Sequence, residues 1–235
     1  MPENSSNSAT GLKAIKRLSM ADEVASQVRS AIIAGEIPEG SPISEIQLAE
    51  RLQVSRVPVR EALVELEHDG IVQFDHRGRC QVREFTHHDV EELVSLRINL
   101  EVMSAKLAAK HRSASDLAKL ERNVVALKKE KDVTIMSRLD VEFHDLIMQA
   151  SGHHRLLVCW RTIRTQFEVL LAKAHRWQKS QRIPVSDHAL RGHLPILQAI
   201  SESDPTQAGK AMLSHVREWG EWMPLIESTN TTPSS

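Results

Sequence analysis

The chain has 235 residues, enough for two domains, and its formal net charge at pH 7 is −1. Two cysteines in so long a chain supply no disulfide framework, so we expect a cytoplasmic protein. No apolar run is long enough to cross a bilayer, and no signal-peptide pattern stands near the start, so no membrane association is expected. Tyr is absent and aromatic residues make up only 3%, which favours aliphatic cores between packed helices.

Three helices are predicted after a Ser- and Asn-rich segment, 1–17, that we expect to be a disordered tail. The first ends near Gly35 and the second, shorter helix near Leu52. Only a two-residue turn then separates the second helix from a third one, which starts at Ser55. We expect the Ser55 hydroxyl to cap this helix, while Pro58 in the first turn has no intrahelical bond to lose.

The third predicted helix carries Arg56 and Arg60 four residues apart, beside an apolar stripe. For an isolated arginine pair at this spacing, a solvated surface helix is the commoner explanation. The short turn before Ser55 instead favours a DNA-binding helix, because a helix-turn-helix exposes its second helix to the DNA major groove. Two short strands follow around a turn that contains Arg77, Gly78 and Arg79, at residues 71–74 and 80–82. Residues 18–85 are therefore predicted to be a winged helix-turn-helix domain.

The first 85 residues are not basic overall, since ten Lys or Arg stand against thirteen Asp or Glu, a formal charge of −3. Attraction to DNA must then come from local clusters of arginine. One cluster combines Arg51 with the arginines of the third helix, and the other contains Arg77, Arg79 and Arg83 of the wing.

The sequence around the third helix resembles the GntR superfamily of bacterial transcription regulators. The resemblance runs from Leu48 to Leu63 and continues through Leu66, Asp69-Gly70 and Arg77-Gly78. It implies DNA contacts from Ser55, Arg56, Val57, Arg60, Arg77, Gly78 and Arg79, with Gly78 letting the wing tip approach the minor groove. Val57 stands where the family usually has a hydroxyl residue, and Ile46 where many members have arginine. The operator sequence therefore stays open.

From Thr86 the pattern changes to consecutive helices. They are predicted at 87–110, 114–129, 133–150, 153–176, 186–202 and 205–226. Thr86, either Ser113 or Ser115, and Asp204 are expected at helix starts. We therefore predict an antiparallel helical bundle at 86–226, followed by a disordered tail at 227–235. The fold class is mainly α.

Within the bundle, Asp140 and His144 are spaced i, i+4, so both side chains project from one helix face. This spacing alone more often marks a surface pair than a metal site. His193 and His215, each on a separate apolar-striped helix, could complete a set of three imidazoles and one carboxylate. Such a set suits zinc or nickel, whereas calcium would need more oxygen ligands.

Residues 90–222 resemble the FCD effector-binding domain of the FadR-like branch of the same superfamily. In that domain the residues matching Asp140, His144, His193 and His215 bind a metal at the base of a ligand cavity. Arg97 could form a salt bridge with Glu101 at i, i+4. Alternatively, as the resemblance implies, it could face the cavity and clamp a carboxylate.

For several other side chains of the bundle, the sequence makes less specific predictions. Cys159 and Met212 could line the cavity, although apolar packing explains them equally well. Solvated imidazole is the expected state of the remaining histidines that stand in polar stretches or at helix starts. These are His87, His88, His153, His154, His175 and His188.

Together these features predict a homodimeric transcription regulator, a repressor rather than an activator, that binds operator DNA and responds to a small organic acid. The protein is not expected to be an enzyme. Two alternatives stay open at this point. The Asp/His cluster could hold a metal that activates water for hydrolysis, with Glu142 or Asp145 as the base, or the metal could be purely structural.

Overall fold

We analysed a computed structural model that describes residues 20–228, apart from the side chains of 186–188 and 222–228. The predicted tail at 1–17 and most of the one at 227–235 lie outside the described residues, but the last helix reaches Ser228. The predicted fold class is confirmed, with a small winged domain followed by antiparallel helices. None of the described helices is both long and apolar enough to span a bilayer.

The N-terminal domain contains three helices and a small sheet. Its elements are α1 (Met20–Ala34), β1 (Pro42–Ile43), α2 (Glu45–Leu52), α3 (Arg56–His68), β2 (Val72–Phe74) and β3 (Cys80–Val82). The strands form an antiparallel sheet in the order β1-β3-β2, with Pro42 opposite Gln81 and Ile43 opposite Cys80. Strand β1 was not predicted, because two residues are too short to show strand alternation.

The turn between α2 and α3 depends on Gln53, whose backbone is left-handed at φ 54 and whose N–H bonds back to α2. Ser55 then takes the extended conformation of a helix N-cap, but its hydroxyl makes no capping hydrogen bond, so that expectation was wrong. A cap side chain accepts from the second or third helical N–H, and here the third residue is Pro58, which has none. The Ser55 hydroxyl is exposed instead.

The second domain is built from six helices. These are α4 (His87–His111), α5 (Ala114–Lys129), α6 (Val133–Ala150), α7 (His154–Ser180), α8 (Val185–Ser201) and α9 (Pro205–Ser228). The predicted boundaries of α5 and α6 agree with the structure, and the largest difference is at α7, which continues to Ser180. Helix α4 packs on α9, α6 on α7, and α8 on α9, while α5 covers α6 and α8.

Side-chain caps start three of these helices where the sequence indicated. Thr86 and Asp89 form a reciprocal capping box at α4, and Ser113 and Asp116 form another at α5. Asp204 accepts hydrogen bonds from two backbone N–H groups in the first turn of α9. These signals are local, so they could be recognised without knowledge of the tertiary fold.

Helix α7 joins the two domains through one continuous apolar cluster. That cluster contains Val28 and Ile32 of α1 together with Val169, Leu170 and Ala172 of α7. The winged domain and the bundle therefore share a core along α7 rather than meeting only through a linker.

The capping box at α4 generates a stability prediction. We expect Thr86→Ala to lower the free energy of unfolding by about 1 kcal/mol, because it removes the acceptor for the Asp89 backbone N–H. Urea denaturation followed by circular dichroism measures this. The matched control is Ser55→Ala, which removes a hydroxyl of the same kind that makes no cap bond. An equal loss of stability in both variants would contradict the assignment.

Candidate metal centre and DNA-binding face

Four potential metal ligands from three helices meet inside the bundle. Asp140 and His144 come from α6, His193 from α8 and His215 from α9, and one ligand atom from each lies within 4.8 Å of all the others. The Oδ1 of Asp140 is 3.5 Å from Nε2 of His144 and 3.6 Å from Nε2 of His193. Nε2 of His215 is 3.3 Å from Nε2 of His144. The sequence-derived ligand set is thus brought together in space.

These spacings fit a small transition-metal ion. Four ligands at about 2.0–2.1 Å from a tetrahedral zinc ion are separated from one another by about 3.3–3.4 Å. Nε2 of His193 is buried and has no hydrogen-bond partner in the described part of the chain, although Asp140 lies nearby. A buried nitrogen acceptor of this kind is suited to a metal ion. Asp140, His144, His193 and His215 would hold it.

Glycine is needed beside one of these ligands. Gly192 lies in α8, and a Cβ atom built there would overlap Nδ1 of His215 on α9. The absence of a side chain lets the imidazole lie directly against the α8 backbone, so any larger residue would displace His215. The sequence did not show this role, because it depends on how α8 and α9 face each other.

A buried ion pair supports His144 from behind. Nε of Arg97 donates to Oε1 of Glu101 at 2.5 Å, and the other carboxylate oxygen of Glu101 contacts Nδ1 of His144. This contact leaves Nε2 of His144 directed toward Asp140 and His215. A carboxylate behind a histidine is the usual way in which proteins orient a metal-binding imidazole. The sequence predicted Glu101 only as a partner of Arg97, because the i, i+4 spacing is its one local signal.

The protonation states differ within the cluster: two imidazoles are in the neutral form that binds a metal ion, whereas His144 holds a proton that a bound metal would have to displace. Burial opposes ionisation of Glu101, but Arg97 and His144 lower its pKa to about 2. Burial alone would lower the pKa of His144, whereas Glu101 and Asp140 raise it to about 9. Burial lowers the pKa of His193, and burial with the neighbouring imidazoles lowers that of His215 still further. The last two therefore present neutral imidazoles, the form that binds a metal.

A narrow cavity of about 20 Å³ adjoins this cluster, lined by Asp140 and His215 together with side chains of α7 and Trp219 of α9. The Arg97 guanidinium packs against two aromatic side chains that line this cavity, 3.5 Å from the Phe167 ring centroid and 4.9 Å from that of Trp219. Both Nη atoms of Arg97 are buried without a hydrogen-bond partner among the described residues. The salt bridge to Glu101 is thus formed and both Nη atoms remain as donors, but the cavity wall at this point is formed by the Phe167 and Trp219 rings and not by Arg97 itself.

The remaining histidines, Cys159 and Met212 only partly agree with the sequence-based expectations for them. His175 is buried, 4% exposed, with Nδ1 2.8 Å from Oγ of Ser137, because it lies in the part of α7, 163–178, that has no exposed side chain. Cys159 is exposed and does not line the cavity, and Met212 belongs to the apolar core. His87, His88 and His154 are exposed as expected, and the side chain of His188 lies outside the described residues.

The second region of interest is the face formed by α3 and the wing. Arg56, Arg60 and Arg79 line a cleft of about 550 Å³, together with Gly78 and the start of α2. Apolar residues on the opposite side of α3, such as Val59 and Leu63, are fully buried. The helix thus docks through one side and presents arginines on the other, as the sequence predicted.

Asp75 holds the tip of the wing in shape. Its carboxylate accepts hydrogen bonds from the backbone N–H groups of Arg77, at 2.8 Å, and Arg79, at 2.9 Å, and from the Arg79 side chain. Gly78 has a positive φ of 73°, and a Cβ there would meet no atom within 4 Å. The tip therefore needs glycine for its backbone conformation and leaves open space for a partner.

Two acidic residues pair with arginines of the winged domain. Glu45 at the start of α2 lies 3.4 Å from the Arg56 guanidinium. Arg83, expected in the wing cluster, instead pairs with Asp89 at the start of α4, so its charge is turned toward the bundle. The acidic groups of the domain are thus partly used to position its basic ones.

The fold and these two regions define a class of protein: a winged-helix DNA-binding domain joined to a helical domain that holds a buried cluster of potential metal ligands, called here the ligand cluster. The family model described as "Bacterial regulatory proteins, gntR family" matches residues 20–82, and the FCD domain model matches residues 92–218. The chain belongs to the GntR family of bacterial transcription regulators and carries an FCD domain. It is a regulator and not an enzyme.

Among its relatives is a protein of Paenarthrobacter nicotinovorans, "Probable D-xylose utilization operon transcriptional repressor", 30% identical over 88% of this chain and 90% of the relative. The "Gluconate operon transcriptional repressor" of Bacillus subtilis (strain 168) is 29% identical over 82% and 80% of the two chains. E. coli McbR/YncC has the same fold, with a TM-score of 0.71, 18% identity, and coverage of 91% of this chain and 99% of that one.

The ligand cluster generates a prediction about metal content. We expect His144→Ala combined with His193→Ala to reduce bound zinc or nickel from about one ion per chain to background, because half of the ligand atoms are removed. Elemental analysis of the purified protein measures this. His154→Ala, which removes an exposed histidine, is the matched control. Unchanged metal content in the double variant would rule out this site.

Proposed function

We propose that this protein is a homodimeric repressor that binds operator DNA through its winged domain and changes its affinity when a small organic acid enters the bundle. The observation that carries the proposal is the buried cluster of Asp140, His144, His193 and His215 beside a cavity, in a chain with a DNA-binding fold. The two relatives described above are named as transcriptional repressors, which supports repression rather than activation.

DNA contacts are assigned to the residues that the winged domain exposes. Ser55, Arg56, Val57 and Arg60 of the recognition helix would reach the major groove, and Arg77, Gly78 and Arg79 of the wing the adjacent minor groove. Val57 is 65% exposed and Ile46 is 52% exposed, so both apolar side chains face outward near the arginines. Apolar groups at such positions suit the methyl group of thymine. A preference for thymine opposite them is therefore expected.

A zinc or nickel ion is the proposed occupant of the ligand cluster. Three imidazoles and one carboxylate match the ligand preferences of these ions, whereas calcium prefers more oxygen atoms. When bound, the ion supplies a Lewis acid that attracts a carboxylate oxygen. Glu101 keeps the imidazole of His144 oriented, and Arg97 keeps Glu101 ionised.

The proposed effector is a small organic acid. Its negative charge is matched by the two buried Nη groups of Arg97, which have no hydrogen-bond partner in the described structure. A carboxylate that contacts both a metal ion and a guanidinium is attracted more strongly in a buried site than in water, because the local dielectric constant is low. A relative that represses a gluconate operon supports an acid derived from carbohydrate.

Helix α7 offers the route between effector and DNA. Ala174, His175 and Gln178 line the cavity. On another side of the same turns, Arg176 donates to the carbonyl oxygen of Ile33 at the end of α1. Lys173 lies 2.8 Å from Glu39 of the winged domain. A shift of α7 by a ligand would therefore move the contacts that position the winged domain.

Dimerisation follows from how such domains read DNA. Two recognition helices related by a two-fold axis contact two half-sites about one helical turn apart, which one winged domain cannot do.

The hydrolase alternative is not supported. Glu142 binds Asn123, and Asp145 binds Arg164 and Trp160, so neither stands ready as a base at the cluster. A purely structural metal is the remaining alternative, in which metal removal destabilises the bundle but acid binding to the folded protein does not depend on contact with the ion.

DNA binding can be tested on the promoter region next to the encoding gene. We expect Arg56→Ala and Arg60→Ala each to weaken binding about tenfold or more in a gel-shift assay, because each removes a charged contact to phosphate or base. Arg122→Ala, an exposed arginine on α5, should bind as well as the unmodified protein. Wild-type affinity in both recognition-helix variants would refute the proposed DNA contacts.

The coupling through α7 can be tested with the acid that releases wild-type protein from that DNA, chosen from a panel of small carboxylic and sugar acids. We expect Lys173→Ala combined with Arg176→Ala to keep DNA binding but to reduce acid-induced release about fivefold or more, since the interdomain contacts are lost. Lys179→Ala on the exposed side of α7 should respond normally. A full acid response in the double variant would exclude this route.

A further inference from the structure

A carboxylate lies inside the arginine-lined cleft of the winged domain. Glu45, the first residue of α2, lines this cleft together with Arg56, Arg60 and Arg79. The phosphate groups of DNA repel a carboxylate placed so close to them, so Glu45 weakens the electrostatic part of DNA binding. The winged domain attracts DNA only through local clusters of arginine, and a negative charge among them therefore needs a physical reason.

The Glu45 side chain has a single hydrogen-bond partner among the described residues, the side chain of Arg56. Oε2 of Glu45 lies 3.4 Å from an Nη atom of Arg56, the first residue of α3. The Glu45 side chain is only 17% exposed, whereas that of Arg56 is 63% exposed, so the carboxylate lies on the protein side of the guanidinium. Arg60, one turn further along α3, is exposed and pairs with no carboxylate in the part of the chain that the structure describes.

We propose that Glu45 is a positioning residue for base recognition, which holds the Arg56 guanidinium toward a guanine in the major groove. This inference rests on the proposed DNA contacts and gives one of them a role in specificity. A guanidinium has five N–H donors, and the pair with Glu45 uses one of them. Donors therefore remain for the O6 and N7 acceptors of guanine, which arginine binds in bidentate fashion.

The carboxylate changes which acceptors Arg56 prefers. It offsets the positive charge of the guanidinium, which weakens attraction to an anionic phosphate, whereas the neutral acceptors of a base still accept its N–H groups. It also restricts the side chain before DNA arrives, so less conformational entropy is lost when a base is bound. Glu45 thus lowers general affinity for DNA and raises discrimination between sequences.

Two other roles for Glu45 make different predictions. A carboxylate in the first turn of a helix stabilises that helix through its dipole, and Glu45 has this position in α2. Such a role affects the free energy of unfolding but not the choice between DNA sequences. A carboxylate can also accept directly from the N4 amino group of cytosine, and this contact would not depend on Arg56.

The test is fluorescence anisotropy with the full-length protein and two DNA duplexes. One is the promoter segment that the wild-type protein protects from DNase I, and the other has the same bases in scrambled order. The specificity ratio is the dissociation constant for the scrambled duplex divided by that for the promoter duplex. Glu45→Gln should lower this ratio about tenfold or more, the contribution of one bidentate arginine–guanine contact, while binding the scrambled duplex at least as tightly as the wild type.

Glu50→Gln is the matched control, because it removes the same charge from an exposed position of α2 and should keep the specificity ratio. Arg56→Ala should lower the ratio at least as much as Glu45→Gln. The double variant should match Arg56→Ala within about threefold, because Glu45 acts only through Arg56. Circular dichroism of each variant verifies that the fold is retained.

A modified base identifies the atom that Arg56 reads. Replacing single guanines of the promoter duplex by 7-deazaguanine removes the N7 acceptor. At one guanine or more, this replacement should weaken wild-type binding about fivefold or more, but Glu45→Gln and Arg56→Ala binding by about twofold or less.

The possible failures are distinguishable. If Arg56→Ala lowers the specificity ratio and Glu45→Gln does not, the positioning role is refuted while the proposed Arg56 contact stands. If Glu45→Gln lowers the ratio further in the Arg56→Ala background, a direct base contact by Glu45 replaces the positioning role. If Arg56→Ala weakens binding of both duplexes equally, Arg56 holds a phosphate and this inference is overturned. If Arg56→Ala binds both duplexes like the wild type, the proposed Arg56 contact fails as well.

Discussion

The structure of the bundle depends on one buried ion pair, between Arg97 and Glu101 of α4. Removing two charges from water is costly, so each must be compensated by well-placed neighbours. Glu101 obtains a second partner in His144 of α6, and the Arg97 guanidinium lies near the rings of Phe167 on α7 and Trp219 on α9. Four helices thus meet around one pair of charges, and the orientation of the His144 imidazole follows from it.

Helix α7 faces two partners, because none of the side chains at residues 163–178 is exposed. One side contributes His175 and Gln178 to the cavity, and another carries Lys173 and Arg176 to the winged domain. A helix packed so tightly transmits displacement rather than absorbing it, since protein interiors are close-packed. Gly35, whose Cβ would crowd the Arg176 guanidinium, allows the two domains to approach closely. The geometry therefore gives a physical basis for linking a bundle ligand to the position of the recognition helix.

The first 85 residues carry a formal charge of −3, yet the winged domain within them exposes a face lined by arginines. Its acidic groups are placed where they organise basic ones: Asp75 shapes the wing tip, and Glu45 lies against Arg56. Placement near the groove matters more than the total charge, because salt screens interactions beyond about 10 Å. The same arrangement keeps Arg83 away from the face, through its pairing with Asp89.

The sequence by itself determined the mainly α fold, the winged helix-turn-helix, most helix boundaries and the nomination of Asp140, His144, His193 and His215. These follow from local signals, namely apolar periodicity, caps such as Thr86, and i, i+4 spacing. Only the tertiary structure decided that Glu101 supports His144, that Gly192 makes room for His215, and that His175 is buried in a polar stretch of sequence. Each depends on which faces of distant helices oppose one another, and periodicity specifies a buried face without specifying its partner.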